Sequence, residues 1–240
     1  MKSELQLREG PVTTSNRVLD LLPRKERARI LMLAKQVELP LSQELYEVGE
    51  KVRYVYFPSA GVISLVAVIE GSPGVELALL GREGMLGVEV LLGNSVSPLR
   101  ALVQASGSAW RIERHKFELT LAGSPVLRHC MQQYLSLLVR QLVTSAACLR
   151  FHLIGPRLAR FLLLMQDRVC SDELIITQEF LALMLGVRRV GISAAAAALQ
   201  QCGLIRYQRG QVHILDRSGL EAAACRCCVS DRLAMIRDFQ

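Results

Sequence analysis

The spacing of apolar residues changes character three times along the chain. Asn16 to Leu22 carries helical spacing, and Pro23 opens a second helix that runs to about Ala34. Beyond it the apolar residues come in short runs closed by turn residues. Leu39 to Val48 ends at Gly49, Val52 to Phe57 at Pro58, and Val62 to Ile69 at Gly71-Ser72-Pro73-Gly74. Val75 to Leu80 leads into Gly81-Arg82-Glu83-Gly84, and Ala101 to Ala105 and Ser108 to Ile112 supply later strands. Short strands at regular spacing predict a small barrel or sandwich, whose closed sheet leaves an interior able to hold a ligand.

From Pro125 to about His152 the pattern becomes that of one long amphipathic helix. Leu127, Met131, Tyr134, Leu138, Gln141, Ser145, Cys148 and His152 alternate steps of four and three, the heptad pattern of a coiled-coil seam. Such a seam joins two copies of a chain, and the polar Gln141 and Ser145 in its middle would fix the register. The same stripe also suits packing on the chain's own β unit.

Residues 177–215 read as two short helices about a tight turn, followed by a two-stranded wing. Thr177 is a helix cap, Glu179 places an anion in the first turn, and Leu181, Met184 and Leu185 form an apolar stripe. Gly186 breaks that helix. The next starts near Arg188 and Arg189, carries Ile192, Ala195, Ala196 and Leu199 at helical spacing, and stops at Gly203. Leu204 to Tyr207 and Gln211 to Leu215 then alternate around Arg209-Gly210, a hairpin turn with arginine at its tip.

Charge placement sharpens this reading. Lys and Arg outnumber Asp and Glu by 15 to 14 in residues 1–125 and by 14 to 8 in residues 126–240, so the excess sits in the half that contains the helix-turn-helix. A polyanionic partner follows from that asymmetry. No apolar run reaches the ~18 residues of a membrane span, and Met1 to Gly10 is too charged for a secretory signal, so no membrane and a cytoplasmic location are expected. Seven irregularly spaced cysteines, none before Cys130, fit a reducing compartment better than a disulfide framework.

No metal, cofactor or enzymatic constellation is expected. The four histidines, at 115, 129, 152 and 213, include no pair at metal-binding spacing, and neither Gly-x-Ser-x-Gly nor a phosphate loop occurs. Cys225-Arg226-Cys227-Cys228 has one intervening residue and then none, without a histidine nearby in the chain. These cysteines read as ordinary residues near a helix end.

Helical entry, β-roll, long helix and winged helix-turn-helix, in that order, resemble the CRP/FNR superfamily of bacterial transcription regulators. The resemblance rests on Leu39 to Val66, Gly81 to Gly93, Thr177 to Ser193 and Cys202 to Glu221. It implies an α+β protein with three parts: a jelly-roll-type, cyclic-nucleotide-binding-like β-roll over residues 1–124, a long dimerisation helix over 125–153, and a winged helix-turn-helix over 154–240. It further implies a homodimer on a pseudo-palindromic promoter site, with RNA polymerase and a small-molecule effector as further partners.

Departures from the family pattern narrow that inheritance. Cyclic-nucleotide-binding members use a Gly-Glu-Leu carboxylate for the ribose and an Arg-Ser or Arg-Thr pair for the phosphate. Here the corresponding segments are Gly84-Met85-Leu86 and Leu99-Arg100-Ala101, so cyclic AMP is not the expected effector. Arg82, Met85, Leu99 and Arg100 remain the candidate effector pocket, open to another ligand. The amino-terminal cysteines of iron-sulfur members are absent too. In the recognition helix the resemblance assigns base contacts to Arg189, Val190 and Ala194, arginine reading guanine and the apolar pair facing thymine methyl groups. Thr177, Gln178, Arg188, Ser193, Arg206 and Arg209 are the backbone-contact candidates. The alanine-rich helix supports an alternative, an interaction protein of the same architecture that has lost specific DNA reading.

Overall fold

The computed structural model describes residues 15–70 and 74–228. The Gly71-Ser72-Pro73 turn, the Met1 to Gly10 segment and the outer ends of the first and third units lie outside the described residues. Two short helices, α1 (Arg17–Asp20) and α2 (Arg24–Leu33), lead into an antiparallel sheet of β1 (Lys35–Leu39), β2 (Glu44–Tyr46), β3 (Tyr54–Ala67), β4 (Val75–Leu80) and β5 (Arg100–Glu113). The sheet order is β1-β5-β3-β4, with β2 also on β5. Asn16 explains the entry. Its side chain accepts from the Leu19 amide to cap α1, and its amide nitrogen donates to the carbonyls of Pro58 and Gly84, both at 2.9 Å, pinning the helix to the β-roll.

Three strand expectations need correction. Most of Val52–Phe57 and of Val62–Ile69 falls in one strand, β3, which starts at Tyr54 and ends at Ala67, and Ala101–Ala105 and Ser108–Ile112 are parts of β5. Pro58 and the glycines are bends, not ends. The β3–β5 ladder shifts register between Pro58 and Ala60, Ala60 and Val62, and Val62 and Ile63. At that crossing a Cβ on Gly107 would lie 2.2 Å from the Ala60 carbonyl oxygen, so only glycine allows the approach. The Leu39–Val48 run divides into β1, which begins earlier at Lys35, and β2, separated by the turn after Pro40. Inside the roll, Phe57 packs on Phe117 of α3 (Arg114–Gly123) with ring centroids 5.9 Å apart. Met85, Ile63, Leu80 and Ile112 fill the space around them.

The long helix α4 (Pro125–Phe151) begins where Ser124 accepts from the Leu127 amide and Pro125 takes the first turn. Its orientation corrects the seam. Leu127, Met131, Tyr134 and Leu138 are buried in the β-roll core, and Tyr134 donates to the Met85 carbonyl at 2.9 Å. Gln141 donates to the Leu79 carbonyl at 3.2 Å, and Ser145 accepts from Arg160 at 3.3 Å. All six therefore serve the chain's own fold. A second stripe, Leu135, Val139, Leu142, Ala146 and Leu149, repeats the same steps of four and three on the neighbouring face, where Val139 (52%) and Ala146 are exposed, Leu135 and Leu149 are half-buried and Leu142 packs against the β-roll core.

After α4 the chain turns at His152 and Leu153 into α5 (Ile154–Val169), the central helix of the second core. Leu158, Phe161, Leu162 and Met165 of α5 pack against α6 (Gln178–Met184), α7 (Arg189–Gln201) and α8 (Arg217–Ala223). A buried ion pair joins the two cores. Arg168 of α5 donates through Nε to Glu83 at 2.8 Å and through Nη2 to the Leu79 carbonyl at 3.2 Å, while Glu83 also accepts from the Gly81 amide. No single helix among the described residues is long and apolar enough to cross a membrane.

Candidate nucleic-acid interface

The helix-turn-helix is built by local rules. The Thr177 hydroxyl accepts from the Phe180 amide at 3.2 Å to start α6, and Gly186 takes φ +59 in the turn, a conformation glycine adopts without steric cost. The axes of α6 and α7 meet at 109°, within the range of DNA-reading helix pairs. Ile192, Ala196 and Leu199 anchor α7 in the core, leaving Val190, Ala194, Ala197 and Ala198 on the outer face. Val190 is 79% exposed, so its side chain is free to meet a partner on this face. Arg188 and Arg189 stand exposed at the positively polarised start of α7.

Gln178 and Ser193 meet across the turn, the Ser193 hydroxyl lying 2.6 Å from Gln178 Oε1 and 3.2 Å from the Arg189 carbonyl. This contact locks α6 to α7. The wing is β7 (Ile205–Gln208) and β8 (Gln211–Ile214), joined by Arg209-Gly210. Gln208 pairs with Gln211, and both loop residues have positive φ, +50 and +78, which defines a type I′ hairpin. Arg209 thus projects from the tip. Tyr207 ties the wing down by donating to the Ile176 carbonyl at 2.8 Å, while its amide donates to Gln200 at 2.7 Å. Burial pushes the Tyr207 hydroxyl up to about 12, against the opposing charge of Arg189.

Arg206 sits differently from the other candidates. It shares a register row with His213 and with Glu173 of β6 (Glu173–Ile175), a third wing strand that periodicity did not reveal. Side chains in one row share a sheet face, and Tyr207, next along the strand, faces α6 and α7. Arg206 is therefore on the outer face, with His213 between it and the Glu173 carboxylate, which lies 3.6 Å from His213 Nδ1. Gln200, Tyr207 and β6 were missed because a three-residue strand and a side-chain brace leave no periodic signal.

The four effector-pocket candidates have different partners. Met85 is fully buried in the β-roll core. Arg82 reaches Cys170 Sγ at 3.3 Å in the second unit, whereas Arg100 at the start of β5 lies 3.8 Å from Glu44, and Leu99 packs on the core. Among the described residues, Arg100 Nε and Glu89 Oε2 are buried polar atoms without a hydrogen-bond partner. Burial raises the Glu89 carboxyl above its ordinary range.

Cys225 and Cys227 have no histidine nearby in the chain, but the fold brings one to them. Chain folding brings Cys148 and His152, at the end of α4, against both: Cys148 and Cys225 sulfurs are 3.5 Å apart, and Cys227 Sγ is 3.7 Å from His152 Nδ1.

A family model described as the Crp-like helix-turn-helix domain matches residues 156–223. No curated protein sequence matches the chain. Among solved structures, a putative CRP/FNR-family transcriptional regulator from Eubacterium rectale superposes with a TM-score of 0.70 at 16% identity, covering 88% of this chain and 99% of that one. FixK2 from Bradyrhizobium japonicum gives 0.69 at 17% identity, covering 80% and 98%. A CRP-family transcriptional regulator from Thermus thermophilus gives 0.67 at 22% identity, covering 78% and 96%. Residues 156–223 thus match a Crp-like helix-turn-helix domain, and most of the chain shares the fold of solved structures of CRP/FNR-family regulators.

Proposed function

We propose that this protein is a sequence-specific, homodimeric transcription regulator, not an enzyme, acting in the cytoplasm on promoter DNA and with RNA polymerase. Its units are the β-roll sensor (1–124), the α4 segment (125–153) and the winged helix-turn-helix (154–240). The observation that carries this reading is the exposed first half of α7, with Arg188, Arg189, Val190 and Ala194 beside a type I′ wing tip bearing Arg209. Arg189 supplies bidentate guanine chemistry, and Val190 and Ala194 supply apolar contact for thymine methyl groups. Thr177, Gln178, Arg188, Ser193 and Arg209 approach phosphates, and Arg206 contributes less from its outer face.

The dimer forms through the second stripe of α4, led by the exposed Val139 and Ala146 with half-buried Leu135, Leu142 and Leu149 beside them, because its heptad spacing matches a second copy and the inward stripe is buried in the β-roll core. Met85 offers no ribose acceptor, so the effector is not cyclic AMP. Among the described residues, Arg100 Nε and Glu89 Oε2 are buried polar atoms of the β-roll with bonds left to make, which suits another small molecule. Selection of genomic fragments with purified protein tests the reading. Reproducible recovery of a two-fold symmetric motif supports it, and no enrichment would leave the interaction-protein alternative.

A further inference from the structure

Four metal-ligating side chains converge where α4 ends and where the chain leaves α8. Cys148 and His152 are one helical turn apart and share a face, with His152 at the carboxyl cap of α4. Cys225 and Cys227 follow the last residue of α8, held in place as the Cys225 amide donates to the Pro156 carbonyl at 3.3 Å. One ligand atom from each of the four lies within 4.8 Å of all the others. Cys148 and Cys225 are buried, and Cys227 and His152 are half-buried.

Tetrahedral zinc with bonds of about 2.3 Å to sulfur and about 2.0 Å to nitrogen places its ligands roughly 3.8 Å apart for two sulfurs and roughly 3.6 Å for sulfur and nitrogen. The observed 3.5 Å between Cys148 and Cys225 sulfurs and 3.7 Å between Cys227 and His152 match those edges. We propose that Cys148, His152, Cys225 and Cys227 form a Cys3His site for one zinc ion, tying the end of α4 to the end of the DNA-binding domain. An iron-sulfur cluster would interpose its inorganic core and hold the thiolates further apart.

Three thiolates and a neutral imidazole around a dication leave one net negative charge. Arg157 and Arg160 of α5 lie within electrostatic reach of Cys148 and Cys225 and offset it. Binding releases the thiol protons to solvent and requires no redox partner. The ligands flank the turn between α4 and α5, the one covalent connection from the β-roll and its long helix to the helix-turn-helix. An ion there restrains the orientation of the DNA-binding domain relative to α4.

Cobalt titration of the full-length protein, reduced and stripped with chelator, tests this without DNA, so its outcome is independent of the transcriptional reading. The expected result is one cobalt per chain, with thiolate-to-cobalt charge transfer in the near ultraviolet, intense visible bands of a tetrahedral ion, and displacement by zinc. His152→Ala and Cys227→Ser, both at half-buried positions, should weaken zinc binding by more than about 100-fold, since losing even an outer-shell partner costs about 10–100-fold. Exposed Cys170→Ser and Cys202→Ser should not change it. Circular dichroism establishes that each variant is folded, and the wild-type titration stands whatever the variants do. Absence of charge transfer in the folded, reduced wild type, or bands that survive both ligand substitutions, would overturn the assignment.

Discussion

Two adjacent residues of α4 separate packing within the chain from the proposed dimer seam. Leu138 is 3% exposed in the β-roll core, and Val139 is 52% exposed on the second stripe. Leu138→Asp removes burial worth about 1.5–3 kcal/mol. It also leaves a carboxylate without a partner, bringing the loss to roughly 4–5 kcal/mol, comparable with the whole stability of many domains. Val139→Asp should change the stability of an isolated chain by no more than about 0.5 kcal/mol. In a dimer seam, however, it places two carboxylates, each costing roughly 2 kcal/mol to desolvate, so the dimer should weaken on the order of 1,000-fold. Light scattering and urea denaturation of both variants measure these effects. The expected outcome is a folded monomer for Val139→Asp and an unfolded or aggregated chain for Leu138→Asp. A Val139→Asp protein as dimeric as wild type, or a stable monomeric Leu138→Asp protein, would refute the assignment of the two faces.

Three further outcomes follow from named groups. Arg189→Ala should cost on the order of 1–3 kcal/mol on specific duplex and little on scrambled duplex, whereas Arg209→Ala should weaken both and lower the log affinity against log salt slope by about one per subunit; equal losses on both duplexes for Arg189→Ala would make it a backbone contact. Burial pushes the Glu76 carboxyl up from 4.5 to about 7, against a Ser64 hydrogen bond and the charges of Arg168 and Arg160. The native chain therefore keeps a proton that the unfolded chain releases between those values, and stability should fall by up to roughly 3 kcal/mol as pH rises through that window, then level off. Glu76→Gln should remove this component in urea titrations compared at about pH 5 and about pH 8, and an unchanged difference would exclude Glu76 as its source. Calorimetry should detect no cyclic AMP binding tighter than ~1 mM, and saturable micromolar binding would overturn the assignment of Met85.

The helix-turn-helix was the most legible part of the chain because its signals are local. Thr177 caps α6, Gly186 takes the turn, and Arg209-Gly210 closes the wing in the positions that their chemistry requires. The β-roll was legible as a class but not in its strand count. Pro58, Gly61 and Gly107 have the composition of chain breaks, yet in β3 and β5 they permit a bulge and a close crossing that only the paired strand discloses. On α4 the heptad spacing was visible but its direction was not, since the inward stripe and the second stripe share the same period. The 16-residue α5 escaped a reading centred on the motif that follows it, although Leu158, Phe161, Leu162 and Met165 recur at helical spacing. The Cys148–His152–Cys225–Cys227 cluster was hidden for another reason. Its two halves are 77 residues apart between Cys148 and Cys225, a separation over which sequence spacing carries no geometric information.

If paired α7 helices of a dimer read DNA sequence, selection from a randomised duplex library with wild type and Arg189→Ala in parallel will reveal it. Wild type should enrich an inverted repeat whose half-sites are about 10 base pairs apart centre to centre, and the alanine variant should relax one equivalent position in each half. A single unrepeated motif, or no enrichment above input, would contradict it.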